Sequence, residues 1–154
     1  MEISFETIAD HTIPVNDFSL NARFIENLPV ATQNQLKPLN VEASKFLHDF
    51  ITISELHKDD PFKKDFFKTK SVIDIKDGNN DEIKTWLHKL GIPLNKEVFL
   101  SWDSTTTMIV SWELFVKYFD DFYYSASDDL TIFDQSLNWA VFFAHYELLY
   151  YGSN

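Results

Sequence analysis

The segment Asp128 to Gly152 has the sequence DDLTIFDQSLNWAVFFAHYELLYYG, the longest apolar and most aromatic part of the chain. Within it, Leu130 to Phe133 is typical of a β-strand that ends in a turn. Asn138 to Ala144 has apolar residues at both odd and even positions, which predicts a strand covered on both faces in the interior of its sheet. The chain then turns at His145 to Glu147, and Leu148 to Tyr151 is predicted to return as a hairpin partner.

Three helices are predicted before this segment. The first runs from Val41 to Leu56, with Asn40 as its N-cap and its apolar residues on one face. The second begins at the N-cap Asn80, and the third follows the N-cap Ser111 and runs to about Phe122. The predicted strands around these helices are Ser71 to Ile75, Glu97 to Trp102 and Thr107 to Val110.

The N-terminal part of the chain gives fewer signals. Met1 to Leu28 contains short apolar groups separated by turn residues, which predict one or two short strands and a helix near Phe18 to Asn27. Together the elements predict the α+β class in a single domain over residues 1–154. About three helices are expected to pack on a mostly antiparallel sheet of about five strands.

Negative charge is concentrated in the last third of the chain. The formal net charge is −11, and residues 97–154 contain nine aspartates or glutamates but a single lysine, Lys117. A negative field of this strength repels nucleic acid and anionic membranes and attracts basic partners. We therefore expect a basic protein as the partner, and neither nucleic acid nor a membrane.

The composition also suggests a compartment. The chain has no cysteine, which suits a reducing environment. Met1 to Glu6 has neither the basic nor the apolar region of a secretory signal, and no apolar run approaches the ~20 residues of a membrane helix. We expect a cytoplasmic protein.

The sequence contains one arrangement that suggests catalysis. His145 and Glu147 lie on one face of the predicted hairpin, where they would serve as base and orienting carboxylate. With Asp134 they define the alternative hypothesis of a small hydrolase or metal-dependent enzyme. However, the calcium-loop spacing, the glycine-rich phosphate loop and the nucleophile elbow are all missing from the sequence. The sequence therefore favours a protein that is not an enzyme and predicts no metal and no cofactor.

Recognition of a partner is the stronger hypothesis. Asp120 and Asp121 fall at the C-terminal end of the third predicted helix, where the helix dipole makes each acid unfavourable by roughly 0.3 to 1 kcal/mol. Residues that oppose the helix dipole in this way are candidates for a functional role. Tyrosines between acids offer stiff contact area with a polar tip. The predicted partner-binding residues are Asp120, Asp121, Tyr123, Tyr124, Asp128 and Asp129.

Two other interpretations of these residues stay open. In the first, the tyrosines cover a sheet edge and the acids around them are simply solvated, so that the group forms no binding surface. The chain would otherwise be an adaptor or a self-associating structural protein, for which the sequence gives no oligomeric state.

Several segments together resemble a known group of proteins. They are Val98-Phe-Leu-Ser-Trp102, Trp112-x-x-x-Val116-Lys-Tyr118, Asp120-Asp-Phe122, Ser127-Asp-Asp-Leu-Thr-Ile-Phe-Asp134 and Trp139-x-x-x-x-x-His145-x-x-x-Leu149-Tyr-Tyr-Gly152. This pattern is similar to small acidic bacterial proteins, some of which are immunity proteins of toxin systems, including contact-dependent inhibition. The resemblance covers about Trp86 to Gly152, and Met1 to Asp60 has no counterpart in it. It implies a partner that is a cognate basic toxin domain, with a nuclease as the expected class, and it assigns no functional residue.

Overall fold

A computed structural model describes residues 3–154 of the chain. Seven strands in these residues form one sheet, in which every pairing is antiparallel. They are β1 (Lys37–Pro38), β2 (Thr69–Asp74), β3 (Glu97–Asp103), β4 (Thr106–Ser111), β5 (Leu130–Phe133), β6 (Trp139–Phe143) and β7 (Leu148–Ser153), in the spatial order β1-β4-β3-β5-β6-β7-β2. The helices are α1 (Asn21–Asn27), α2 (Val30–Gln33), α3 (Val41–Ile53), α4 (Asn80–His88), α5 (Trp112–Lys117) and α6 (Phe119–Phe122).

Helices cover both faces of the sheet. On one face, Leu47 and Ile51 of α3 share a buried cluster with Phe133 and Ala140 of the sheet. On the other face, residues of α1, α4, α5 and α6 share a second cluster with Ile132 of β5 and with β6. Because the inner strands are covered on both sides, they are apolar on both sides, as the sequence predicts for β6.

The α+β class and the antiparallel sheet are confirmed, but the structure has seven strands and six helices in residues 3–154, more than the five and three expected. Six of the seven strands overlap predicted segments. The strand without a predicted counterpart, β1, is two residues long and contains Pro38, so it has no alternation that a sequence pattern could reveal. The short strands predicted near the N-terminus are wrong for the described residues, since 3₁₀ turns at Ile8–His11 and Val15–Asp17 stand there. Met1 and Glu2 lie outside the described residues.

The helix predicted from Ser111 to Phe122 is broken in two. Ser111 caps α5 as expected, accepting a hydrogen bond from Leu114 N at 3.2 Å. Tyr118, with φ −120° and ψ 27°, leaves helical geometry and starts α6. The bend brings Phe122 against Phe24 of α1, with ring centroids 4.9 Å apart. Tertiary packing therefore overrides the helical periodicity.

The break corrects the interpretation of Asp120 and Asp121. Both lie in the first turn of α6, not at the end of a long helix. The dipole penalty predicted from the sequence is therefore wrong, because an acid near a helix N-terminus is not opposed by the dipole. The position of Asp120 and Asp121 in the sequence is therefore no longer evidence that they are kept for function at a cost in stability.

Two further helix ends are worth noting. Asn40 caps α3 as predicted, since its Oδ1 accepts from Ala43 N at 2.9 Å, but the helix ends at Ile53 rather than Leu56. The cap of α4 is Asn79 rather than Asn80, with Asp81 N donating to Asn79 Oδ1 at 2.7 Å. No helix in residues 3–154 has the length and apolarity needed to cross a membrane.

Candidate functional site

The six predicted partner-binding residues divide between the interior and the surface. Tyr123 is 5% exposed, and its hydroxyl donates to Ala144 O at 2.6 Å. Burial, with the negative charges of Glu147, Asp128 and Asp129, raises the pKa of Tyr123 to about 12. The side chain of Tyr123 is thus a link between the end of α6 and the end of β6, and it presents almost no surface to a partner.

Asp128 is also internal, with 9% of the residue exposed. It accepts hydrogen bonds from Arg23 Nη1 at 2.5 Å, from Arg23 Nη2 at 3.1 Å and from Tyr124 N at 2.9 Å. The guanidinium carbon of Arg23 lies 3.9 Å from the centroid of the Tyr124 ring. Asp128 is therefore neutralised by a bidentate pair that ties α1 to the loop after α6.

The remaining acids face solvent in two separate places. Asp120 is exposed and accepts from Asn80 Nδ2 at 3.3 Å, and it lines a hollow of about 390 Å³ together with Tyr124. Asp121 is half-buried, and burial followed by the charge of Asp120 raises its pKa. Asp129 lies elsewhere, in a larger cleft on the α3 face of the sheet. The single binding surface predicted from the sequence is therefore divided between two separate places on the protein.

The three residues of the enzyme hypothesis do not meet. His145 and Glu147 lie in the turn between β6 and β7, whereas Asp134 follows β5 at the opposite end of β6. His145 Nδ1 is 3.0 Å from Asp129 Oδ1 instead. Asp134 accepts from Trp139 Nε1 at 3.0 Å, and although its burial acts the other way, this bond and those from Ser136 and Lys96 lower its pKa. Asp134 therefore stabilises the turn between β5 and β6 and orients neither His145 nor Glu147.

The larger cleft, with a volume of about 530 Å³, is the strongest candidate site. One side of the cleft is formed by the C-terminal part of α3 and the segment 55–61 that follows it. The other side is formed by the neighbouring ends of β3, β5 and β6. The apolar lining of the cleft comes mainly from Ile51, Pro61 and Phe142. Its charged lining, among the described residues, consists of Glu55, Asp59, Asp60, Asp103 and Asp129 against Lys58. We call this feature the acidic cleft.

His57 lines the acidic cleft in a defined protonation state. Its Nδ1 lies 2.6 Å from Pro61 O, and because a carbonyl only accepts, Nδ1 must carry the proton. Its Nε2 lies 2.9 Å from Thr131 Oγ1, so that the hydroxyl donates to the free lone pair. The residue His57 is exposed as a whole, but both of its ring nitrogens are buried against Pro61 and Thr131. This burial lowers its pKa against the opposing effects of the Pro61 carbonyl, Asp60 and Asp129. His57 is therefore a neutral group in an acidic site.

The turn between β6 and β7 holds two of the carboxylates in place. Tyr146 donates its hydroxyl to both oxygens of Asp60, at 3.0 and 2.9 Å. Burial, then the bonds with Tyr150 and Asp60, raises the pKa of Tyr146. Asp129 Oδ1 accepts from the backbone N–H of His145 at 2.8 Å and lies 3.0 Å from its ring Nδ1. Both carboxylates are thus oriented before a ligand arrives.

Glu55 differs from these carboxylates because lysines neutralise it. Lys63 Nζ lies 3.2 Å from Glu55 Oε1 and Lys58 Nζ lies 3.4 Å from Glu55 Oε2. Hydrogen bonds from Lys63 and Lys58 lower the pKa of Glu55. The one lysine among the charged lining is therefore already paired, which leaves the negative field to Asp59, Asp60, Asp103 and Asp129.

This lining suits a cation better than other ligands. A phosphate or other anion would meet four unneutralised carboxylates, which repel it. Within residues 3–154, no three His, Cys, Asp or Glu side chains are placed to hold a metal ion. His57 and Thr131 are placed as base and hydroxyl, but Pro61 O, rather than a carboxylate, orients the imidazole. The geometry therefore points to binding of a positively charged group.

Sequence patterns miss this cleft because its parts lie far apart in the chain. His57 and Thr131 are separated by 74 positions, and the segment His57-Lys-Asp-Asp-Pro61 appears in the sequence only as the end of a helix. The one usable local signal is the pair of adjacent acids, Asp59-Asp60, before Pro61.

Comparison with known proteins places the chain in no family, since no family model, no curated protein and no solved structure matches it.

Proposed function

We propose that this chain is a binding protein of the immunity type, which neutralises a basic toxin domain by covering its substrate-binding surface. The observation that supports the proposal is the acidic cleft, in which four unneutralised carboxylates surround an apolar and aromatic lining. A nuclease needs positive charge to hold phosphates. A preorganised acidic surface is complementary to that charge and excludes the nucleic acid by occupying its place.

The charge distribution suits rapid capture of such a partner. The net charge of −11 acts at a distance, and the last 58 residues contain most of it. Electrostatic steering speeds association to about 10⁸–10⁹ M⁻¹s⁻¹ at low salt, against about 10⁵–10⁶ M⁻¹s⁻¹ for neutral pairs. Since an immunity protein must act before its toxin reaches nucleic acid, a fast and salt-dependent association rate is the property expected.

The contact residues we propose are those exposed in the structure. Asp129 and Asp60 represent the acidic cleft, and Asp120 and Tyr124, at the smaller hollow on the opposite face, are the alternative contact residues. Asp128 and Tyr123 are predicted from the sequence as contacts, but they are buried. We expect them to stabilise the fold and not to touch the partner.

The test begins with capture of the partner. The chain, tagged at its C-terminus, is expressed in its native host, and bound proteins are identified by mass spectrometry at low and moderate salt. We expect one basic polypeptide that is lost as salt rises. Its association rate is then measured with the wild type, with Asp60→Asn/Asp129→Asn and with Glu113→Gln as a control.

Glu113 is a matched control because it is an exposed acid on α5, which packs on the face opposite α3. We expect the double variant to associate at least about tenfold more slowly and the Glu113 variant to stay near wild type. If no basic protein is retained at low salt, the proposal is wrong. If a basic protein is captured but associates with all three proteins at the same rate, the acidic cleft is not its contact surface.

A further inference from the structure

We propose that the acidic cleft receives the side chain of a single arginine from the partner, with its guanidinium against Asp60 and Asp129 and its methylene stem against the aromatic lining. This inference rests on the proposed function and names the group that the site recognises. It follows from three properties of the cleft, which are its lining, the state of its carboxylates and the pairing of its one lysine with Glu55.

The lining matches a ligand that is apolar along its length and charged at its tip. Ile51, Pro61 and Phe142 present apolar surface, and the aspartates carry the charge. Arginine and lysine side chains bury their methylene groups while keeping the charged head near polar partners. The volume of about 530 Å³ lies within the range of about 300–1,000 Å³ typical of ligand sites, so a long side chain can enter.

Arginine fits better than lysine because of the two kinds of neighbour present. A guanidinium binds carboxylates through a planar fork and stacks on aromatic rings, whereas an ammonium is a compact, strongly hydrated charge. The chain itself shows this combination elsewhere. Arg23 forms a bidentate pair with Asp128 and lies 3.9 Å from the Tyr124 ring centroid.

The carboxylates are held yet retain capacity to accept. Asp129 receives both of its contacts from His145 on Oδ1, and Oδ2 accepts no hydrogen bond from residues 3–154. Each oxygen of Asp60 is contacted by the same Tyr146 hydroxyl, which has only one proton to donate. Two oriented carboxylates with free lone pairs are the acceptors that a five-donor guanidinium requires.

No group of the cleft competes with the incoming charge. Lys58 is paired with Glu55 at 3.4 Å. His57 holds its single proton on Nδ1, bonded to Pro61 O, and so contributes a neutral ring to the site. A cation entering the cleft therefore meets four aspartates, and the one lysine of the lining is already paired with Glu55.

The experiment uses short peptides as probes, because they carry the proposed group without the rest of the partner. The ¹⁵N-labelled full chain is titrated with an acetylated and amidated tetra-arginine peptide. The matched tetra-citrulline peptide has nearly the same shape and no charge, and a tetra-lysine peptide has the charge without the fork. Amide shifts are followed by NMR in the wild type, in Asp60→Asn/Asp129→Asn and in Asp60→Glu/Asp129→Glu.

We expect the arginine peptide to shift amides of the segments 57–61, 101–103 and 129–131, at least about tenfold more tightly than either of the other peptides. The Asn variant is expected to weaken binding by about tenfold or more, and the Glu variant, which keeps both charges, to bind detectably in the same place. Unshifted spectra far from the cleft show that each variant is folded.

Four results would overturn the inference. The citrulline peptide binding as well as the arginine peptide would remove the role of charge, and lysine binding equally well would remove the role of the guanidinium. Shifts centred on Asp120 would place the cation in the smaller hollow. If a basic partner is captured in a salt-dependent way but is indifferent to the cleft variants, this inference fails and the proposed function stands. If the peptide binds in the cleft and no basic partner exists, the proposed function fails instead.

Discussion

Replacement of Asp128 by alanine is expected to destabilise the protein strongly, although the sequence places this residue among surface acids. The change removes both bonds from Arg23, the bond from Tyr124 N and a bond from Ser127 Oγ at 3.3 Å. It also leaves the Arg23 side chain, only 15% exposed, without its counter-charge.

The magnitude follows from this burial. Removing one partner of a buried ion pair costs about 3–5 kcal/mol, mainly because the other charge is left uncompensated. The two side chains are 15% and 10% exposed, so water relieves part of the penalty. We expect a loss of about 3 kcal/mol in the free energy of unfolding, which corresponds to a fall of about 6–12 °C in Tm for a chain of this size.

The assay is equilibrium unfolding in urea, followed by circular dichroism and by tryptophan fluorescence, with Asp129→Ala as the control. Asp129 is the adjacent residue and carries the same charge, but its side chain is 52% exposed. Its loss is expected to cost less than about 1 kcal/mol. A double-mutant cycle with Arg23→Ala is expected to give a coupling of about 2 kcal/mol.

The reasoning would be refuted by equal and small effects of the two substitutions. It would also fail if Asp128→Ala kept full stability and weakened capture of the basic partner, because Asp128 would then act at the surface, as the sequence suggests. A coupling near zero would show that the bidentate pair does not contribute to stability.

Three further predictions concern other contacts. Tyr123→Phe removes the donor to Ala144 O and is expected to cost about 1 kcal/mol in urea unfolding. Tyr124→Phe should cost less, because the Tyr124 hydroxyl makes no hydrogen bond within residues 3–154. The pKa of His57 is lower in the folded state than in the unfolded state, so its contribution to stability is present above the unfolded pKa and is lost as pH falls toward the folded one. Wild type should therefore lose more stability than His57→Gln between about pH 7.5 and about pH 5.5, and an equal loss would contradict the burial of the ring. Gly152→Ala would place Cβ 2.7 Å from Phe67 Cγ and is expected to cost about 2 kcal/mol or more, while Gly91→Ala, with open space but φ +81°, should cost about 1 kcal/mol.

The parts of the fold that the sequence predicts are those whose signals are local. The cap Asn40 bonds to Ala43, three residues away, and the hairpin of β3 and β4 is joined by a tight turn. The break at Tyr118 is different, because it depends on Phe122 meeting Phe24, almost a hundred positions earlier. No spacing within the segment encodes that contact, so helical periodicity alone predicts one continuous helix.

The acidic cleft could not be found from the sequence for a similar reason, since it joins the segment after α3 to the ends of three strands. The tautomer of His57 is set by Pro61 and Thr131 together. Burial and hydrogen bonding of this kind arise only when distant segments pack.

The error over Asp128 and Asp129 has a cause that the sequence does contain. Successive residues of a strand point to opposite faces of the sheet. In the structure, Leu130 and Ile132 of β5 belong to the core on the α1 side, while Phe133 belongs to the core on the α3 side. Extending this alternation backwards places Asp128 with Arg23 of α1 and Asp129 in the acidic cleft, as observed.

Neighbouring acids at the start of a strand therefore do not add to one surface. A partner that reaches Asp129 approaches from the α3 side, where it meets Asp60 and His57. A partner that reaches Asp120 and Tyr124 approaches from the other side. One compact domain cannot easily span both faces. We therefore expect only one of the two substitutions, at Asp129 or at Asp120, to weaken binding of a single toxin domain strongly. The substitution that does so identifies the face that the toxin occupies.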